Sequence, residues 1–216
     1  MKLAQKNKSR ISELVTLINN GVISAQGPKN KRHGKALEIM LAEEYNFRNE
    51  DGSLYEQYGN KIDFPKEIVS KGNVPKEWIG DWEVKYYSST TNQILFGDLE
   101  KKMESIRKGM ILVLGIYEGD PRNIVDLMFI RIKNTKELRE NLSTWKEVCS
   151  AVKNANTSID DGRELVKFVN KNTKGSFKLS NISRHERWSE SKQEWQGEAR
   201  AVQLTCSMKH ILSLRK

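Results

Sequence analysis

The sequence predicts an α/β fold: a mixed central β-sheet flanked by helices, with a C-terminal β-hairpin elaboration. Three observations carry this expectation. Ile11, Leu14, Val15, Leu17 and Ile18 recur at helical spacing near the start. Two unbroken apolar runs, "MILVLGIYE" and "IVDLMFIRI", have the length of strands covered on both faces. Helical patterns stand before, between and after these strand-like segments, the arrangement of a sheet with helices packed on it. At 216 residues the chain is expected to build a single domain, residues 1–216. Its core should span about residues 30–135 and its elaboration about 135–216.

Taken in order, the first helix ends at "NNGV", where Gly21 supplies a C-capping glycine. A basic loop, "GPKNKRHG", leads to a short apolar helix in "KALEIMLAEEYN". "NEDGSLYEQYGNKIDFP" reads as a turn and a strand ending near Asp63, where Pro65 stops any ladder. A loop with Gly72 and Pro75 precedes a strand at Trp82–Ser88. In "NQILFGDLEKKMESIRKG", Ile94, Leu95, Leu99, Met103 and Ile106 predict a helix that Gly109 closes. Helices are expected over 135–154 and 160–172. "SFKLSNISRHERW", a polar turn around 189–197 and "ARAVQLTCSMKHILSL" read as a late pair of strands.

Composition narrows the function. The chain is 37% hydrophobic and 30% charged, ordinary for a water-soluble protein. No apolar run approaches the ~18 residues that span a bilayer, and "MKLAQKNKSR" lacks the apolar core of a signal peptide. The expectation is a cytoplasmic protein with no membrane partner. Cys149 and Cys206 are too few to build a zinc site, and a reducing compartment disfavours a disulfide, so two half-buried thiols are expected. A formal net charge of +9 favours a polyanionic partner, because cations that neutralise phosphates release condensed counterions. A merely lysine-rich composition would produce the same charge.

The chemistry lies in "GDWEVKYYSS". In a strand, Trp82, Val84 and Tyr86 point one way, and Asp81, Glu83, Lys85 and Tyr87 the other. "EKK" at Glu100 and "ESK" at Glu190 share the acid-x-lysine spacing, but the first falls in an amphipathic helix and the second in a polar turn. Only "EVK" lies in a strand, with a second acid, Asp63, at the end of the preceding one. Two carboxylates from neighbouring strands make a hard-oxygen site suited to Mg²⁺. A lysine on the same face can orient the attacking water and stabilise charge building on a phosphate.

These residues resemble the PD-(D/E)XK nuclease superfamily, in which an acid ending one strand is followed on the next by (Asp/Glu)-x-Lys. The matching stretches are "IDFP" and "WEVK"; Ile62 stands where the family has proline. The resemblance covers mainly residues 34–117 and is to a type II restriction endonuclease. It implies a restriction-endonuclease-like core, a Mg²⁺ cofactor, double-stranded DNA as substrate and a homodimer. It assigns Asp63 and Glu83 to the metal and Lys85 to the nucleophilic water. Asp81, on the face of Glu83, competes with Asp63 for the role of first acid. Many members carry a glutamate on the helix before the catalytic strands, here Glu38, which would assist through a water or a second metal. A structure-specific or repair nuclease, and a non-catalytic DNA-binding protein on a nuclease scaffold, remain the alternatives.

DNA contacts are expected from Arg184, Arg187, Lys192 and Arg200, a late cluster of cations interleaved with Trp188 and Trp195. Ser88, Ser89 and Thr91 in "SSTTNQ" are further contact candidates. His33, His185 and His210 show no metal-binding spacing and are expected to be surface or groove histidines. "GIYEGD" superficially matches the start of the GIY-YIG signature, but no second "YIG" follows. No Gly-rich phosphate loop, G-x-S-x-G, H-E-x-x-H or C-x-x-C is present.

Overall fold

The computed structural model describes residues 4–25, 32–56, 62–133, 135–153, 158–189 and 194–214, without side chains at 159, 181–189 and 194–200. The α/β class holds, but among the described residues the strands form two three-stranded sheets rather than one central sheet. Each sheet belongs to its own compact unit. The first unit comprises Met1–Asn92, Lys108–Lys133 and Ile211–Lys216; the second comprises Gln93–Arg107 and Asn134–His210.

The first unit opens with helix α1 (Gln5–Asn19), which buries Ile11, Leu14, Val15 and Ile18, the stripe its spacing predicts. Helix α2 (Gly34–Glu44) is apolar around most of its circumference and buries Ala36, Leu37, Ile39, Met40, Leu41 and Ala42. Among the described residues, the segment expected to hold a turn and a strand ending near Asp63 shows two isolated antiparallel bridges, Leu54 to Arg48 and Phe64 to Trp82. Pro65 has no amide to extend the ladder, and helix α3 (Lys66–Val69) begins directly after it. Residues 57–61 of that predicted segment lie outside the described residues, as do 27–31 of the basic loop.

Strand β1 (Trp82–Ser88) has the predicted bounds. It pairs in parallel with β3 (Ile111–Tyr117), and β3 pairs antiparallel with β4 (Ile124–Arg131), giving the order β1-β3-β4. In β3 every residue but Tyr117 is buried, as the unbroken apolar run requires. Trp82, wholly buried, anchors the core beneath. Its ring meets Tyr45 and Phe47 edge-on at 5.3 Å and Phe129 at 5.1 Å, and its indole N–H donates to the carbonyl of Trp78 at 2.8 Å. This aromatic cluster fixes β1, and with it the residues on the strand's other face.

The second unit contains β2 (Gln93–Asp98), α4 (Leu99–Lys108, to Arg107), α5 (Lys136–Lys153), α6 (Ile159–Asn172), β5 (Phe177–Ser189) and β6 (Glu194–Ser207). Its sheet runs β2-β6-β5, all antiparallel. The single helix expected from Ile94 onwards is a strand followed by a helix. Gly97, at φ +82°, breaks the helical path, and the Asp98 carboxylate accepts the amide of Glu100 at 3.1 Å to start α4. Helices α5 and α6 match the prediction within a residue or two. Met208–Ser213, read as strand, is a short helix, α7. Cys149 and Cys206 are fully buried rather than half-buried, and both are free thiols.

Candidate active site

Asp63, Glu83, Lys85 and Glu38, four positions scattered over the sequence of the first unit, come together. The Phe64–Trp82 bridge lays the Asp63 segment along β1, and the amide of Val84 donates to Asp63 Oδ2 at 2.7 Å. Asp63 is thereby held beside the residue that separates Glu83 from Lys85. Glu83 is completely buried, and Lys85 Nζ lies 2.5 Å from Glu83 Oε1. The Lys85 side chain is 20% exposed, so the strand presents an ammonium at the rim of a buried carboxylate.

Burial alone would pull the Lys85 ammonium down, but the carboxylates of Glu83 and Asp63 outweigh it and hold Lys85 well above the ordinary lysine range. Lys85 is therefore a cation and a hydrogen-bond donor at neutral pH. Glu38, on α2, moves the opposite way. Burial raises its carboxyl, the nearby Lys35 and Lys85 pull it back, Glu83 pushes it up, and the net direction is up. The same mutual influence places Glu38 within electrostatic reach of the Glu83–Lys85 pair. Tyr55, half-buried, has its phenol raised first by burial and then by the nearby Asp63 and Glu67 carboxylates.

Asp81 is occupied elsewhere: its Oδ1 accepts the backbone amide of Lys66 at 2.8 Å, at the first residue of α3. It serves a helix start, whereas Asp63 serves the β1 face. Among the described residues no three His, Cys, Asp or Glu side chains gather into a metal-binding group. The donor set is two carboxylates, both hard oxygen ligands, which fits a Mg²⁺ that keeps water and phosphate oxygens in its remaining positions. Two cavities, of about 720 and 510 Å³, lie along α1 and touch none of these four residues.

Ser88 and Ser89 leave the end of β1 in a turn, with Ser88 Oγ 3.0 Å from Thr90 Oγ1 and the Thr91 amide donating to the Ser88 carbonyl at 2.9 Å. Arg184 and Arg200 face each other across the β5–β6 ladder, and Arg187 pairs with Gln196. Their side chains, and Lys192 entirely, lie outside the described residues. His33 is buried rather than at the surface, with Nε2 2.9 Å from Asn19 Oδ1. "GIYEGD" is the end of β3 and a turn: Tyr117 packs on Tyr86 with ring centroids 5.1 Å apart, and Gly119 adopts φ +65°.

Two residues of the cluster escaped the sequence reading of the site. Lys35 Nζ lies 3.5 Å from Glu38 Oε2 and 3.4 Å from Glu56 Oε2. The Lys35–Glu38 spacing of three on a helix was a visible signal; nothing in the sequence pointed to Glu56. Compared with known proteins, the chain matches no family model, no curated protein and no solved structure.

Proposed function

We propose that the protein is a Mg²⁺-dependent type II restriction endonuclease, a homodimer hydrolysing phosphodiester bonds in double-stranded DNA at a specific sequence. The observation that carries the reading is the convergence of Asp63 and Glu83, from two paired segments, on a Lys85 that shares the Glu83 face. Asp63 and Glu83 would hold the metal, which when bound would polarise the scissile phosphate. Val84 fixes the Asp63 carboxylate through its amide. Lys85, held protonated, donates to the attacking water and to the phosphate oxygens as negative charge builds. It is not the base. Glu38, its carboxyl raised by burial, is a better proton acceptor than a solvated glutamate and suits the role of relieving the water of its proton.

The terminal place of β1 in the order β1-β3-β4 supports this reading, since its other edge takes the Phe64 bridge that brings in Asp63. The formal charge of +9 supplies the attraction for a polyanion. A twofold-symmetric dimer reads a palindromic duplex economically.

Incubation of phage DNA with the protein and Mg²⁺ should yield discrete fragments. Lys85→Ala should abolish that cleavage and leave duplex binding in Ca²⁺ intact; cleavage by this variant at the wild-type rate would remove the assignment. Nicks that follow structure rather than sequence would point to a repair or junction nuclease, and binding without any cutting to a non-catalytic DNA-binding protein.

A further inference from the structure

We infer that Lys35 is a positioning residue of this site: by bridging Glu38 and Glu56 it holds the Glu38 carboxylate at the Glu83–Lys85 pair. The inference rests on the nuclease reading. Helix α2 is charged at Lys35, Glu38, Glu43 and Glu44, and of these positions 35 and 38, three residues apart, fall on one flank in its first half. Lys35 is only 12% exposed along its side chain, and Glu38 is 23% exposed. With so little of its side chain open to solvent and two carboxylates beside its ammonium, Lys35 is poorly placed to clamp a DNA phosphate.

Its two carboxylate partners stand 3.5 and 3.4 Å away, Glu38 on its own helix and Glu56 outside it. Ion pairs this deeply set add little net stability, because desolvation offsets most of the attraction. What such a bridge does well is limit where its partners can sit. Glu38 has a long, flexible side chain; without Lys35 it is free to turn to solvent, away from Lys85. Helical spacing alone pairs Lys35 with Glu38, whereas the structure adds Glu56 as a second carboxylate partner.

The test uses the full chain, phage DNA with Mg²⁺ for cleavage, and a fluorescent duplex with Ca²⁺ for binding. Lys35→Met should lower the cleavage rate at saturating DNA by about 10–100-fold, the usual cost of losing a residue that orients a site group. Duplex binding in Ca²⁺ should not change, and Lys35→Arg should recover most of the rate. In a Glu38→Gln background, Lys35→Met should cost nothing further, because both changes remove the same function. Wild-type cleavage by Lys35→Met, additive losses in the double variant, weakened duplex binding, or failure of Lys35→Arg to recover the rate would each overturn the inference while leaving the nuclease reading in place. A wild-type protein inert toward DNA in Mg²⁺ overturns both.

Discussion

Two aspartates separated by one helix start illustrate how hydrogen bonds sort chemistry from structure. Asp63 accepts from Val84 inside the carboxylate cluster, while Asp81 accepts from Lys66 at α3. Asp63→Asn should therefore lower cleavage by several orders of magnitude, since Mg²⁺ needs the charge, whereas Asp81→Asn should cost little, because the asparagine amide oxygen still accepts from Lys66. Assaying the two variants side by side, with melting curves, checks both halves. Glu38 yields a prediction about pH. Its carboxyl is raised in the folded chain, so the folded state binds that proton more tightly than the unfolded state does. Stability then falls as pH rises from the ordinary glutamate range through the raised value, and the penalty persists above it. Glu38→Gln should raise the melting midpoint at about pH 7, an advantage that vanishes below the ordinary glutamate range, while it lowers activity. Cys149 and Cys206 are pushed up, chiefly by burial, to about 12 and about 11. Both thiols should resist alkylation at neutral pH until the chain is unfolded.

Strand β1 is where core and chemistry share one backbone. Trp82 and Val84 lock into the apolar core on one face, and the same pleat presents Glu83 and Lys85 on the other. Across the sheet, Gly115 stands opposite Tyr86, and a Cβ there would approach Tyr86 Cδ2 to 2.7 Å and Leu37 Cδ2 to 2.8 Å. Gly115→Ala should destabilise the fold by about 1–3 kcal/mol through overpacking. It should also depress cleavage, because Leu37 adjoins Glu38 on α2. Denaturant melts and a cleavage assay on the same preparation test this. Periodicity located β1 to the residue, yet read β2 and α4 as one helix, because Ile94 and Leu95 fall by chance on the stripe of Leu99, Met103 and Ile106. The "GD" at Gly97–Asp98, a helix-start signal, was present in the sequence and outweighs that coincidence in the structure.

For the molecule as a whole, the formal charge of +9 describes a partner class but not an interface. The cations of the β5–β6 ladder are the test. An arginine that only clamps phosphate should weaken binding to all duplexes alike and lower the salt slope by about one unit. One that reads a base edge should cost about 1–3 kcal/mol on the cognate site and almost nothing on scrambled DNA. At least one of Arg184→Ala, Arg187→Ala and Arg200→Ala is expected to behave in the second way. Titrations on cognate and scrambled duplexes at two salt concentrations decide it, and wild-type binding by all three would move base readout to "KNKRHG" or "SSTTNQ".

The α/β class and the bounds of β1 were legible in the sequence, because strand alternation and helical spacing are local rules that each segment obeys alone. The acid-x-lysine spacing in β1 belongs to the same kind of information. Other features are long-range. Nothing local says that Phe64 bridges Trp82 and so delivers Asp63 to Val84, that Asp81 is taken by α3, or that Lys35 reaches Glu56. Nor does periodicity reveal that the strands divide into two sheets. These depend on which segments pair once the chain has collapsed, and pairing is chosen by the joint packing of Trp82, Phe47, Phe64 and Phe129 rather than by any one stretch of sequence.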